Sequence, residues 1–117
     1  MKRVNRLRKG SEFDTAYSKG TVIGGPLLVV RWLPNEAGVP RWGFAVGKRL
    51  SKQAVKRNRT KRRLKSVADS LVMRQSIDIV VTARNGAIEA TQADLGRALA
   101  KALRRAGSAE QPLPSAS

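Results

Sequence analysis

The chain has 117 residues, enough for one modest core, and 41% of them are hydrophobic, which excludes global disorder. It has no cysteine and no histidine, so disulfides, Cys- or His-ligated zinc and imidazole acid–base catalysis are excluded. Its 24 Lys and Arg stand against 8 Asp and Glu, a formal net charge of +16 that draws polyanions, either nucleic acid or an anionic membrane surface.

The first ten residues, MKRVNRLRKG, are basic, but no apolar run follows them, so a signal peptide is not expected. No stretch approaches the ~20 apolar residues that span a bilayer; a soluble, cytoplasmic protein without a membrane partner is the expectation. Ser11–Gly20 (SEFDTAYSKG) predicts a short helix, with Ser11 as N-cap, Asp14 three residues later and Gly20 as its stop. Phe13, Ala16 and Tyr17 then share one face. Two aromatics at that spacing suit a core and a stacking platform equally well. Pro26–Pro34 (PLLVVRWLP) predicts a strand whose faces are Leu27/Val29/Arg31/Leu33 and Leu28/Val30/Trp32. Arg41–Gly47 (RWGFAVG) alternates, with Trp42, Phe44 and Val46 on one side and Gly43 and Ala45 on the other. With NEAGV as the turn, these two strands are expected to pair as an antiparallel hairpin, one face buried and one available.

A helix is predicted over Ser51–Val72, with a core-facing stripe of Leu64, Val67, Ala68 and Leu71 in its second half only. Ser76–Arg84 (SIDIVVTAR) is β-branched and apolar, the pattern of a central strand. After an NGA turn, Thr91–Ala106 predicts a helix with Thr91 as N-cap and Asp94 at the capping-box position; Leu95, Ala98, Leu99, Ala102 and Leu103 line its buried face. The order α-β-β-α-β-α, with room for one more short strand around Thr21–Gly24, and the β-α-β unit through the basic helix predict an α+β fold with helices packed on a small mixed sheet. Residues 1–107 are expected to form a single domain and 108–117 a disordered tail.

The segment Gly47–Ser66, GKRLSKQAVKRNRTKRRLKS, is the most unusual. Ten of the eighteen residues from Lys48 to Lys65 are Lys or Arg, and none is acidic. On a helix, i,i+4 pairs such as Lys52/Lys56, Arg57/Lys61, Arg59/Arg63 and Lys61/Lys65 repel by ~0.2–0.5 kcal/mol each, roughly 1–3 kcal/mol in sum with the i,i+3 pairs. Asn58, Arg62 and Lys65 stack along one flank with Arg59 beside them, while Arg57 and Lys61 project towards the side that Leu64 and Ala68 bury. A solvated face explains charge on one side of a helix; charge on every side of its first half requires an anionic partner. RNA is favoured over DNA, because no helix-turn-helix or zipper spacing surrounds the helix, whereas aromatics and a free sheet face suit an unstacked strand.

The eight acids, Glu12, Asp14, Glu36, Asp69, Asp78, Glu89, Asp94 and Glu110, are scattered, without the clustered carboxylates of a two-metal nuclease. No catalytic residue, metal ligand or Walker-type phosphate loop is therefore predicted.

Arg57–Lys65, RNRTKRRLK, closely resembles the RNR signature, RNRxKRxxR, of the bacterial ribonuclease P protein family. NRLRKGSEFDTAYSKG resembles that family's first helix and its lead-in, WGFAVGKRL the strand entering its Lys-rich turn, and DIVVTARNGA its late strand and turn. Together they cover roughly Asn5 to Arg105 in family order. The resemblance implies an α-β-β-β-α-β-α fold with a left-handed crossover through the RNR helix, opposite to the general rule. It implies a ribonucleoprotein in which RNA is the catalyst, cleaving precursor tRNA to give the mature 5′ end. The protein partners are then ribonuclease P RNA and the precursor's 5′ leader; no cofactor is bound by the protein alone, and Mg²⁺ sits at the RNA active site. By motif position, Lys48, Arg49, Lys52, Arg57, Asn58, Arg59, Lys61, Arg62 and Lys65 are expected on the catalytic RNA. Phe13, Tyr17, Leu28, Val30 and Ala45 are expected to line the leader cleft. Lys65 stands where the signature has Arg, and Val30 where many members carry an aromatic. A ribosomal or RNA-packaging protein and a protein-only nuclease are the alternatives.

Overall fold

A computed structural model describes residues 6–7, 10–71 and 76–107. In chain order the elements are α1 (Gly10–Lys19), β1 (Thr21–Gly24), β2 (Leu28–Pro34), β3 (Arg41–Ala45), α2 (Ala54–Asp69), β4 (Ile77–Ala83), a 3₁₀ turn at Asn85–Ala87, and α3 (Gln92–Gly107). The basic helix is shorter at both ends than the expected Ser51–Val72, running from Ala54 to Asp69 with Gln53 and Ser70 as its flanking caps; the predicted tail, 108–117, lies outside the described residues.

Strand β4 organises the fold. Its sequence, IDIVVTA, is buried at every position but Thr82, so it needs a neighbour on each edge and a cover on each face. The sheet order is β1-β2-β4-β3, with β2 antiparallel and β3 parallel to β4. This corrects the expected β2–β3 hairpin: β4 lies between those strands. The six residues joining them, 35–40, pass across the start of β4, where Pro34 pairs with Ile77 and Arg41 with Asp78. Asn35 Nδ2 donates to Asp78 Oδ1 at 2.7 Å and to the Val39 carbonyl at 3.2 Å, and the Ser76 hydroxyl bonds Asn35. The hairpin is instead β1–β2, with Thr21 opposite Trp32 and Gly24 opposite Val29.

One face of the sheet carries α2 and α3. Leu28, Val30, Trp32, Ile79 and Val81 meet Leu64, Val67, Leu95 and Leu99 there, all buried. The other face carries α1, over a second cluster of Leu7, Ala16 and Val80 with Phe13 and Leu33 against it. Helix α1 is ten residues long, ~15 Å, and among the described residues leaves Val29, Thr82 and Ala45 of that face half-buried. It begins at Gly10, so Ser11 sits within its first turn rather than capping it. It ends at Gly20, whose N–H donates to the Ala16 carbonyl at 2.9 Å. A Cβ on Gly20 would come within 2.4 Å of that oxygen and 3.2 Å of the Trp32 carbonyl, so only glycine allows this close approach to β2. Among the described residues no helix is long and apolar enough to cross a membrane.

Candidate nucleic-acid interface

Helix α2 buries Thr60, Leu64, Val67 and Ala68, one stripe at i, i+4, i+7 and i+8. Thr60 is the one buried residue in the first half, its hydroxyl satisfied by the Lys56 carbonyl at 3.1 Å. Everything else in that half is cationic or exposed. Gln53 precedes the helix without a side-chain cap, and no acid occupies the first turn.

The basic side chains divide into two groups. Val55, Asn58, Lys61, Arg62 and Lys65 line a shallow depression of about 540 Å³ along the flank away from the core, and no acid lines it. Val55, 75% exposed, is the apolar member of this otherwise polar surface. Lys48, Arg49 and Lys52 are exposed on the loop that leads into the helix. Arg57 and Arg63 are used internally instead: Arg57 Nη1 donates to the Ser51 carbonyl and Arg63 Nη1 to the Ala90 carbonyl, both at 2.7 Å. Arg59 is half-buried and does not line the depression; its Nε is buried without a hydrogen-bond partner. Of the nine predicted contact residues, four thus share one concavity, three approach it along the loop, and Arg57 and Arg59 are turned inward.

The α1 face supplies a second feature. Cross-strand register places Val29, Thr82 and Ala45 in one row and Arg31, Val80 and Gly43 in the next. Helix α1 lies over the second row. Gly43 makes this possible, since a Cβ there would fall 2.5 Å from the Phe13 ring and 3.0 Å from Leu7. Phe13 is therefore a packing residue, wedged between helix and sheet. Tyr17, one turn later, is 43% exposed, with the Arg31 guanidinium 4.7 Å over its ring and its hydroxyl 3.4 Å from the Thr82 hydroxyl. Ring and guanidinium attract through the ring quadrupole. The row Val29–Thr82–Ala45 beyond them is half-buried, with Tyr17 reaching Thr82 at its centre.

Two predicted cleft residues do not belong to this surface. Leu28 and Val30 are 2% and 0% exposed and face α2 and α3. The alternation of β2 puts Val29 and Arg31 on the α1 face instead. The sequence carried a signal for this: Arg31 interrupts one face of β2, whereas Leu28, Val30 and Trp32 are uniformly apolar and large. Arg31 and Thr82 join this surface beyond the residues that the family motifs single out.

Glu12 and Asp78 converge, but on a cation. Arg41 donates from Nε to Asp78 Oδ1 at 2.8 Å, from Nη2 to Asp78 Oδ2 at 2.9 Å and from Nη1 to Glu12 Oε2 at 2.6 Å. The hydrogen bonds that Asp78 accepts hold Arg41 above its ordinary pKa, against the opposing effect of its burial; the charges of Asp78 and Glu12 add to the rise. The triad ties α1 to β3 and β4 and so fixes where Phe13 and Tyr17 stand. Its carboxylates are bridged by a guanidinium, an arrangement for positioning rather than proton transfer. Among the described residues no group of three or more His, Cys, Asp or Glu could hold a metal ion.

A small mixed sheet with one cationic helix flank and, on its other face, Tyr17 stacked on Arg31 defines a basic α+β protein. The family model for ribonuclease P matches residues 1–107. The chain is 38% identical over 110 residues to the ribonuclease P protein component of Symbiobacterium thermophilum, covering 92% of this chain and 95% of that protein. It is 36% identical over 106 residues to that of Dehalococcoides mccartyi, covering 91% and 88%. A solved structure of the Staphylococcus aureus RNase P protein superposes with a TM-score of 0.76 at 28% identity, over 87% of this chain and 94% of that one. The chain belongs to the ribonuclease P protein family.

Proposed function

We propose that the chain is the protein subunit of a bacterial ribonuclease P holoenzyme. It binds the catalytic RNA through the α2 flank and its leading loop, and holds the 5′ leader of precursor tRNA on the open α1 face. The observation that carries this proposal is the acid-free depression formed by Asn58, Lys61, Arg62 and Lys65, a cradle for phosphates. Lys48, Arg49 and Lys52 extend it, and Arg57 and Arg59 shape it from within. On the other face, Tyr17 backed by Arg31 offers a stacking platform for an unpaired base, and Val29, Thr82 and Ala45 offer a floor beside it.

Cleavage of the leader is assigned to the RNA and its Mg²⁺ ions. The protein contributes binding: it neutralises phosphates that would otherwise repel, lowers the Mg²⁺ needed, and adds contacts that only a leader-bearing precursor can make. In this reading the protein alone is inactive, and the complex works in the cytoplasm.

The test is multiple-turnover cleavage of a leader-bearing precursor tRNA by a bacterial ribonuclease P RNA at low Mg²⁺, with the protein, without it, and with the protein alone. Cleavage at the mature 5′ end that requires both components is the expected result. No stimulation by the protein would contradict the assignment and favour an RNA-packaging role. Cleavage by the protein alone would make it a nuclease.

A further inference from the structure

A second cationic surface lies apart from both features. The turn after β1 meets α3 around a small pocket of about 170 Å³, below the ~300–1,000 Å³ of sites for drug-sized ligands. Its floor is apolar, with Pro26, Leu27, Leu28, Ala98 and Ala102. Its rim carries Arg97, Lys101 and Arg105, one turn apart along α3, and no acid lines it. Two arginines hold the glycine turn in place: Arg84 Nη1 donates to the Gly25 carbonyl at 3.2 Å and Arg105 Nη1 to the Gly24 carbonyl at 3.1 Å. Arg97 also bonds Asp94, and Lys101 is exposed. Helix α3 packs on β1 and β2, whereas α2 packs on β3. The pocket and the α2 flank therefore belong to opposite edges of the sheet.

We propose that this pocket takes one unpaired nucleotide of an RNA, its base against Pro26, Leu27 and Ala98 and its phosphate at Lys101. The proposal rests on the RNA-binding function above and adds a contact outside the α2 flank and the α1 face. Charge complementarity selects the occupant, because a rim of cations without an acid attracts a phosphate. The apolar floor, sized for a single ring system, selects a nucleotide whose base is free of a duplex stack, since paired RNA keeps its bases inside.

The test compares the full-length wild-type chain with Lys101→Ala, Ala98→Phe and Arg104→Ala. Each is titrated into a bacterial ribonuclease P RNA at fixed salt, with and without a leader-bearing precursor tRNA, and each fold is checked by circular dichroism. Arg104 lies on the same helix but does not line the pocket, so its variant reports the general field of α3. Lys101→Ala and Ala98→Phe should each weaken binding roughly 5- to 50-fold, the range of a lost base contact, and Arg104→Ala less than about 2-fold. A loss seen with the catalytic RNA alone assigns the nucleotide to that RNA; a loss seen only with the precursor present assigns it to the precursor. Equal, small effects of Lys101→Ala and Arg104→Ala, with Ala98→Phe binding as wild type, would overturn the proposal. If Ala98→Phe does not fold, the contrast between Lys101→Ala and Arg104→Ala decides alone. A wild-type chain without affinity for the RNA would remove the ribonuclease P assignment and the pocket with it, a failure distinct from a wild type that binds beside variants that bind equally well.

Discussion

Helices α2 and α3 are both sixteen residues long and pack on the same face of the same sheet, yet they are built for different ends. Helix α3 has what its own stability asks for. The Thr91 hydroxyl accepts from the Asp94 N–H at 3.1 Å and the Asp94 carboxylate accepts from the Thr91 N–H at 3.3 Å, a reciprocal capping box. Asp94 sits at the positive end of the helix dipole and Arg104 and Arg105 at the negative end. Leu95, Leu99, Ala102 and Leu103 form a buried stripe along its whole length. Helix α2 inverts most of this. It has no side-chain cap, no acid in its first turn and no base in its last; Lys56 and Arg57 crowd its positive end and Asp69 its negative one. Its apolar stripe is confined to Leu64, Val67 and Ala68. A helix arranged against its own dipole and against its own like charges is shaped by a partner, and the part of it the fold needs is its second half.

The largest expected effect sharpens the contrast from the α3 side. Leu99→Ala removes a fully buried side chain between α3 and the sheet and should destabilise the protein by about 2–5 kcal/mol, read from a urea melt, with RNA affinity per folded molecule unchanged. On the α2 side, Arg62→Glu with Lys65→Glu should lower affinity for the catalytic RNA about 100-fold or more, since each reversal replaces a phosphate contact with a repulsion. The same pair should leave the melting temperature unchanged or raise it, because it relieves repulsion along the helix. A variant that lost binding and stability together would show that these side chains hold the fold, and the contrast would fail.

Gly43→Ala probes the α1 face. The added methyl meets the Phe13 ring and should cost about 1–3 kcal/mol by overpacking. Displacement of α1 should also reduce the preference for leader-bearing over leaderless precursor, while affinity for the catalytic RNA stays as in wild type. The smallest effects concern the cap. Thr91→Ala should cost about 1 kcal/mol. Hydrogen bonds from Thr91, side chain and then backbone, hold Asp94 below the usual carboxylate pKa. A carboxylate lowered in the folded state stabilises fully above its unfolded pKa, ~3.9, and loses that contribution as pH falls through its lower folded value. Stability should therefore decline below about pH 4 in the wild type and less steeply in Asp94→Asn, as thermal melts across that range would show.

The same contrast explains what the sequence made legible. In α3 the capping box and the buried stripe are both matters of residues three or four apart, so both are legible in the sequence. The flank of Asn58, Arg62 and Lys65 was legible for the same reason, being a matter of helical spacing. Strand β4 announced itself as central through its unbroken apolar run. What escaped was non-local. The β2–β3 hairpin is the simplest reading of two strands joined by a short turn, but β4, arriving over thirty residues later, takes the place between them. The inward roles of Arg57 and Arg63 depend on carbonyls of Ser51 and Ala90 whose position no spacing gives. The Arg41 bridge to Glu12 and Asp78, which fixes α1 and hence Tyr17, joins three elements and has no linear signature.

The most direct test of the central claim, that the charge of α2 exists for RNA phosphates, is the salt dependence of affinity for a bacterial ribonuclease P RNA. Neutralisation of roughly six to ten phosphates predicts a log–log slope of about −4 to −8, made shallower by about two in Arg62→Ala with Lys65→Ala. A flat response, or a slope that the double variant leaves untouched, would contradict it.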